Sequence, residues 1–177
     1  MDGLIVVDVQ NDFCPGGALS VPDGDAVVPA INRLMEDSRF TVATRDWHPR
    51  DHDSFVERGG PWPPHCVAGT GGAELHPKLH SSQVDAVIDK GLEQDNEGYS
   101  GFAGTGLERL LRDQGVDRVH VAGLALEYCV RATALDARRA GFDVVLHRGA
   151  TRAINASPGD EQQTLDELRQ AGVDIVD

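Results

Sequence analysis

The sequence predicts an α/β protein with three αβα layers: an open, mostly parallel sheet of about six strands with helices on both faces. Short apolar runs without polar alternation are typical of strands buried on both faces. Segments with helical spacing separate these runs, and short connections join strand to helix, as in parallel sheets. With 177 residues, 40% hydrophobic and 25% charged, the chain fits a single domain spanning 1–177.

The predicted strands are six short segments rich in aliphatic and β-branched residues. The first, 4–7, reads Leu-Ile-Val-Val without interruption. The others are 40–44, 84–88, 118–122, 142–146 and 173–176. Helical spacing occurs between them, over about 26–36, 106–114, 128–140 and 160–171. Glycine follows three of these helical segments, which is typical of helix C-termini: Gly115, Gly141 and Gly172.

The stretch from about 45 to 80 has a different composition. It is rich in Pro, Gly, His and Trp, shows no period, and holds both tryptophans and five of the seven histidines. A loop of this length in a small domain is usually functional or disordered, and aromatic content argues against disorder. We therefore expect a bound metal ion to order this loop.

Chemically active side chains follow four consecutive predicted strands. Asp8 follows the first, Asp46 and His48 the second, Lys90 the third, and Cys129 comes shortly after the fourth. Ligands of open parallel sheets bind at the carboxyl ends of the strands, where these side chains should converge. The sequence therefore predicts a site at this edge of the sheet.

The loop supplies candidate metal ligands. One carboxylate and three imidazoles suit a single divalent ion, with zinc preferred over iron or manganese. These ligands are Asp46, His48, His52 and His65. The alternative is that the histidines are solvated surface residues of a polar loop.

Cys129 is the candidate nucleophile. It lies where a predicted strand turns into a helix, and a helix N-terminus and the Lys90 ammonium would both lower its pKa. Asp8 could accept its proton. The alternatives are a buried structural cysteine at this position, or Cys14 as nucleophile, although Cys14 lies in a Pro-Gly turn without a following helix.

Charge and cysteine content exclude several functions. The net charge is −13, from 16 basic and 29 acidic residues, so binding to nucleic acid or to an anionic membrane is not expected. No basic leader precedes the first apolar run, and the 3 cysteines do not suggest a disulfide framework. We expect a cytoplasmic protein with a small-molecule substrate; a homo-oligomer is compatible with the sequence.

Six segments, in order along the chain, resemble the isochorismatase-like cysteine hydrolases, and specifically the nicotinamidases, also called pyrazinamidases. They read VVDVQNDF at 6–13, DWHP at 46–49, WPPHC at 62–66, KG at 90–91, YSGF at 99–102 and YCV at 128–130. The resemblance covers nearly the whole chain. The Asp, Lys and Cys positions are shared across the superfamily, whereas the metal motif distinguishes the nicotinamidases.

The resemblance implies hydrolysis of nicotinamide, and of pyrazinamide-type amides, to the acid and ammonia within NAD salvage. It implies Cys129 as nucleophile, Asp8 as proton shuttle and Lys90 as the group that stabilises both. The backbone N–H groups of Ala125 and Cys129 would form the oxyanion hole. The metal would hold the pyridine nitrogen, and the pocket walls would be Phe13, Leu19, Trp62, Tyr99, Ala125 and Tyr128.

The resemblance also concerns the turn before the cysteine. The family has a cis peptide at the position of Leu124–Ala125, and many members have Thr-Asp where this chain has Leu126-Glu127.

The sequence leaves two alternative functions. The first alternative is another cysteine amidohydrolase of the same fold, acting on a carbamoyl or other small amide. The second is a metal-ordered scaffold on an inactive hydrolase fold.

Overall fold

The sheet forms the centre of the molecule in the computed structural model, which describes residues 1–177. Its strand order is β3-β2-β1-β4-β5-β6, and all five neighbouring pairs are parallel. The predicted open, mostly parallel sheet is therefore confirmed, and it is wholly parallel. The strands are β1 (Asp2–Val7), β2 (Thr41–Asp46), β3 (Ala86–Lys90), β4 (Arg118–Leu124), β5 (Asp143–Arg152) and β6 (Asp174–Val176).

Four helices cover the two faces of the sheet. They are α1 (Val28–Asp37), α2 (Leu107–Asp113), α3 (Arg131–Arg139) and α4 (Asp160–Gln170). Helix α1 packs on one face and contributes Val28, Ile31 and Met35 to its core. The other three helices pack on the opposite face. The predicted αβα layers are thus confirmed. No helix of the structure has the length and hydropathy needed to cross a membrane.

The continuous apolar run of β1 is explained by its central position. Ile5 and Val7 belong to the core under α2, α3 and α4, whereas Leu4 and Val6 belong to the core under α1. Both faces of this strand are buried, so neither set of alternating side chains needs to be polar.

Two elements differ from the sequence prediction. The predicted helix 128–140 begins as a single π-helical turn, Leu126–Val130, and becomes α-helical at Arg131. Strand β5 runs to Arg152, although the apolar run ends at Leu146. A register shift lets its polar end pair with the end of β4, at Gly123↔Thr151 and Leu124↔Arg152. Backbone pairing, which carries no side-chain signature, extends this strand.

The long loop 45–80 is tied to the segment that follows β1. The buried Gln10 amide donates to the carbonyls of Asp46 and Ala73, both at 2.8 Å, and its oxygen accepts the Asp46 N–H, also at 2.8 Å. The Asp12 carboxylate accepts the Cys66 N–H at 2.8 Å. The loop is therefore held against the carboxyl edge of the sheet by side chains of the VVDVQNDF segment.

Candidate active site

Lys90, the last residue of β3, is the hub of a buried cluster at the carboxyl edge of the sheet. Its ammonium contacts Asp8 Oδ2 at 2.8 Å, Asp46 Oδ1 at 2.5 Å and Cys129 Sγ at 3.4 Å. It also donates to the Gly98 carbonyl at 2.6 Å. The predicted convergence of these side chains is therefore observed, whereas their catalytic roles are still predictions.

Asp8 is fully buried immediately after β1, with φ of +50°. Its Oδ1 accepts the Thr44 hydroxyl at 2.7 Å, whereas Oδ2 has no hydrogen bond and only the ion pair with Lys90. Carboxylate oxygens of Asp8 and Asp46 and the Cys129 sulfur all lie within 4.8 Å of one another. The Asp8 carboxylate thus lies beside the thiol, with its Oδ2 held only by the ion pair with Lys90.

The two carboxylates that share the lysine differ in protonation preference. Burial raises the pKa of Asp8, and Lys90 only partly opposes this effect. Burial also favours neutral Asp46, but Lys90 and His48 together outweigh it and lower the pKa of Asp46. Environments that give two neighbouring carboxyl groups different pKa values suit the two groups to different roles. The Asp46 carboxyl group is the one that favours its charged form, and the Asp8 carboxyl group is the one that favours binding a proton.

The expected lowering of the Cys129 pKa is wrong for the resting site. Burial raises the pKa of this thiol well above its usual value, and Lys90 counteracts that only in part. The sequence argument overlooked the cost of desolvating a thiolate. A thiol in this state needs an adjacent proton acceptor in order to react, and Asp8 is placed to be one.

Asp46, His48 and His65 form a constellation that could hold a metal ion, with ligand atoms within 4.8 Å of one another. Each imidazole donates from Nδ1 to a carbonyl at 2.8 Å: His48 to Gly91 and His65 to Pro63. A carbonyl only accepts, so in the neutral form of each ring the lone pair is on Nε2. These Nε2 atoms face Asp46 Oδ2 at 3.4 and 3.9 Å. The donor set fits a divalent ion such as zinc.

The structure does not bring His52 into this ligand set, in contrast to the sequence prediction. Its Nε2 contacts the Asn96 carbonyl at 2.7 Å and its Nδ1 contacts Ser54 Oγ at 2.6 Å. Both ring nitrogens are therefore engaged. The His52 ring instead stacks on His48, with centroids 4.0 Å apart. His52 thus supports a ligand rather than pointing a free nitrogen at the ion position.

A pocket opens onto Cys129 and the three candidate ligands. All six side chains predicted as its walls line it: Phe13, Leu19, Trp62, Tyr99, Ala125 and Tyr128. Trp62 donates its indole N–H to the Tyr99 hydroxyl at 3.1 Å and packs edge-on against Tyr128. The Leu124–Ala125 peptide at its base is cis, as the resemblance implied.

The sequence prediction missed three residues that line this pocket: Ser54, Glu97 and Ile154. Ile154 comes two residues after the end of β5, so the strand-end rule would have found it had the full length of β5 been recognised. Nothing in the local sequence around Ser54 or Glu97 indicated a site. The other two cysteines lie in the core of the α1 face, and burial raises the pKa of Cys14 to about 11.

Comparisons with known sequences and known structures relate this chain to the same group of proteins. The family model of the Isochorismatase domain matches residues 2–177. The nicotinamidase/pyrazinamidase of Mycobacterium tuberculosis is 43% identical, over 99% of this chain and 98% of its own. The crystal structure of the Pyrococcus horikoshii pyrazinamidase in complex with zinc superposes with a TM-score of 0.92 at 52% identity, covering 99% of this chain and 98% of that one.

A third similar protein is PnC1 of L. infantum, whose crystal structure is in complex with nicotinate. It matches with a TM-score of 0.95 at 44% identity, covering 99% of this chain and 92% of that one. A wholly parallel αβα sheet with an Asp–Lys–Cys cluster at its carboxyl edge is the architecture of an α/β amidohydrolase. Within that class, the chain belongs to the Isochorismatase family.

Proposed function

We propose that this protein is a nicotinamidase, which hydrolyses nicotinamide to nicotinate and ammonia and also accepts pyrazinamide-type amides. One observation carries the proposal: a single aromatic-walled pocket is lined both by the Cys129 thiol and by Asp46, His48 and His65. A carboxamide can reach the sulfur while a ring nitrogen faces the ligand cluster. A relative 43% identical over nearly the whole chain carries the same activity in its name.

Asp46, His48 and His65 would hold one divalent metal ion per chain, and we propose zinc, which the similar P. horikoshii protein binds. Iron and manganese accept the same donors. The ion would supply a Lewis-acidic anchor for the pyridine nitrogen. The Lys90 ammonium pairs with Oδ1 of Asp46, the oxygen that faces away from the two imidazoles. This contact fixes Oδ2 of Asp46 toward the proposed ion position.

The chemistry begins at the thiol. Asp8 takes the proton of Cys129, and the sulfur bonds to the carboxamide carbon as the carbonyl π electrons move to oxygen. The backbone N–H groups of Ala125 and Cys129 are the proposed donors to that oxyanion. The carbon–nitrogen bond then breaks, Asp8 returns its proton to the departing nitrogen as ammonia leaves, and a thioester remains.

Hydrolysis of the thioester reverses the proton path. Asp8 takes a proton from water, and the resulting hydroxide attacks the acyl carbon. The carbon–sulfur bond breaks, the acid product forms, and Asp8 gives the proton back to Cys129. Lys90 stays charged throughout, because Asp46 and Asp8 raise its pKa against the opposing effect of burial. It therefore stabilises both the thiolate and the Asp8 carboxylate at each turnover.

The proposal includes three broader statements. We take 1–177 as one domain whose loop at about 45–80 carries the metal ligands. The ring of the substrate packs among Phe13, Leu19 and Trp62, with Tyr99, Tyr128 and Ala125 beside it. The protein acts in the cytoplasm on a small molecule without nucleic acid or membrane partners.

The deciding experiment combines metal analysis with an ammonia assay. Purified protein should carry about one divalent ion per chain and release ammonia from nicotinamide, and a chelator should abolish both. An N-carbamoyl amine serves as the contrast substrate. Ammonia release from that compound but not from nicotinamide would overturn the proposal in favour of a related amidohydrolase, and no turnover of either with a full metal complement would favour a scaffold.

A further inference from the structure

Glu127 lies in the π-helical turn, two residues before Cys129, and its carboxylate binds a different part of the chain. Oε2 accepts the backbone N–H of Ile154 at 3.0 Å, and Oε1 accepts that of Asn155 at 2.6 Å. Both oxygens are therefore used on two consecutive amides. This contact joins the turn that carries the nucleophile to the segment that leaves β5.

The segment after β5 needs such a contact. Beyond Arg152 its backbone has left the sheet, and Asn155 adopts φ of +51°, a conformation that L-residues seldom take. The side chain of Asn155 in turn accepts the Glu161 N–H in the first turn of α4, at 3.1 Å. Ile154, between the end of the strand and this turn, lines the pocket and packs against the core of the α1 face.

We propose that Glu127 is a positioning residue, which fixes Ile154 as the wall that holds the substrate ring beside Cys129. The inference rests on the proposed function. A carboxylate suits this task because each of its oxygens accepts one N–H group, and hydrogen bonds to charged acceptors are the strong ones. A glutamine at this position would turn an N–H₂ group toward one of the two amides, so one hydrogen bond would be lost.

Many family members have a Thr-Asp pair where this chain has Leu126-Glu127. The longer glutamate side chain spans from the turn to the two amides, and the adjacent Leu126 is buried in the core instead of offering a hydroxyl. The one polar group of this pair is therefore bound to the segment that carries Ile154. Loss of Glu127 should weaken substrate binding more than it slows the chemical step.

Steady-state kinetics with nicotinamide test this split. We expect Glu127→Gln to raise KM by about tenfold with kcat within about twofold of the unmodified protein. Ile154→Ala should raise KM similarly, and the double variant should be no worse than either single one, because both remove the same wall. The matched control is Glu108→Gln, which removes an exposed glutamate paired with Arg112 on α2. Unchanged KM, or additive effects in the double variant, would overturn the proposal.

A second readout does not depend on turnover. Amide hydrogen exchange at Ile154 and Asn155 should accelerate about tenfold in Glu127→Gln and not in Glu108→Gln. Equal exchange in the two variants would contradict the positioning role even if activity changed. Absence of ammonia release by the unmodified protein would instead contradict the proposed function, and the exchange measurement would still decide whether Glu127 holds this segment.

Discussion

A single buried ammonium holds together the two halves of the site. Lys90 is fully buried and faces Asp8, on the side of the nucleophile, and Asp46, on the side of the metal ligands. Two carboxylates this close would repel each other without the intervening positive charge. The residue therefore links the carboxylate beside the thiol to the carboxylate of the candidate metal ligands.

Replacing Lys90 with Met should abolish ammonia release and lower the free energy of unfolding by about 3–5 kcal/mol, because two buried carboxylates lose their counter-ion. Chemical denaturation and the ammonia assay measure the two effects. The matched control is Lys78→Met, at the other lysine, which is exposed. If the Lys90 variant were as stable as the control, the electrostatic account of the cluster would be wrong.

Cys129→Ala should reduce ammonia release at least about a thousandfold while leaving the metal content unchanged, because the sulfur is not in the proposed ligand set. Metal analysis and the ammonia assay on the same preparation give both quantities. Cys14→Ala serves as control, since Cys14 lies in the core of the α1 face and does not line the pocket. Substantial turnover by the Cys129 variant would remove it from the nucleophile role.

At the scale of elements, the end of β3 and the long loop 45–80 meet through a close backbone approach. Gly91 has φ of +64°, and a β-carbon there would collide with the His48 ring. The carbonyl of the same residue accepts the His48 Nδ1–H. The glycine thus lets the strand end approach the ring and orient it.

Gly91→Ala should consequently push His48 out of line and weaken metal affinity at least about tenfold. Chelator competition followed by metal analysis measures this. Gly106→Ala, at the start of α2, is the control, because a β-carbon there meets nothing within 4 Å. Equal metal affinity in the two variants would show that His48 does not depend on this approach.

The loop also allows a test of which histidines bind the ion. His65→Asn should abolish stoichiometric metal binding, whereas His52→Asn should still bind about one ion per chain with affinity lowered by about tenfold, through its stacking on His48. Metal titration of the chelated protein distinguishes the two. Loss of the ion from both variants alike would restore His52 to the ligand set that the sequence predicted.

At the scale of the whole molecule, the strand order explains where the site lies. β1 and β4 are neighbours although β2 and β3 intervene in the chain, so the connections diverge to opposite sides at this point. Crevices at such points bind ligands in open α/β sheets. Asp8 follows β1 and Cys129 follows β4, which places the acid and the thiol on the two sides of this crevice.

Strands β4 and β5 carry a pair of neighbouring histidines, one of which has a lowered pKa. His147 Nε2 and His120 Nδ1 are 2.8 Å apart, and burial together with His120 lowers the pKa of His147. The unfolded imidazole, with a pKa of 6.5, then binds protons more readily than the folded one. Stability should therefore fall as the pH drops below about 6.5 toward the lower folded pKa.

When the pH is lowered from about 7.5 to 5.5, the free energy of unfolding should fall less for His147→Gln than for the unmodified protein. Chemical denaturation measures this difference. The metal-site histidines are common to both proteins, so their contribution cancels in the difference. His80→Gln, at an exposed histidine, is the control and should follow the unmodified protein. Parallel curves for all three proteins would contradict the assignment.

The sequence by itself determined the αβα architecture and the residues of the cluster. Uninterrupted apolar runs such as 4–7 identify strands buried on both faces, and parallel strands necessarily end at one edge. Asp8, Lys90 and Cys129 could therefore be placed together from their positions after strands. The resemblance to the nicotinamidases, carried by motifs along the whole chain, supplied the substrate class.

Only the tertiary structure decided the orientation and protonation of these groups. It engages both ring nitrogens of His52 with Ser54 and Asn96, and it revealed Ile154 through a strand end formed by backbone pairing. It also reversed the expected direction of the Cys129 pKa. Ring orientation and desolvation depend on atoms far away in the chain, whereas the periodicity of apolar residues is a local property.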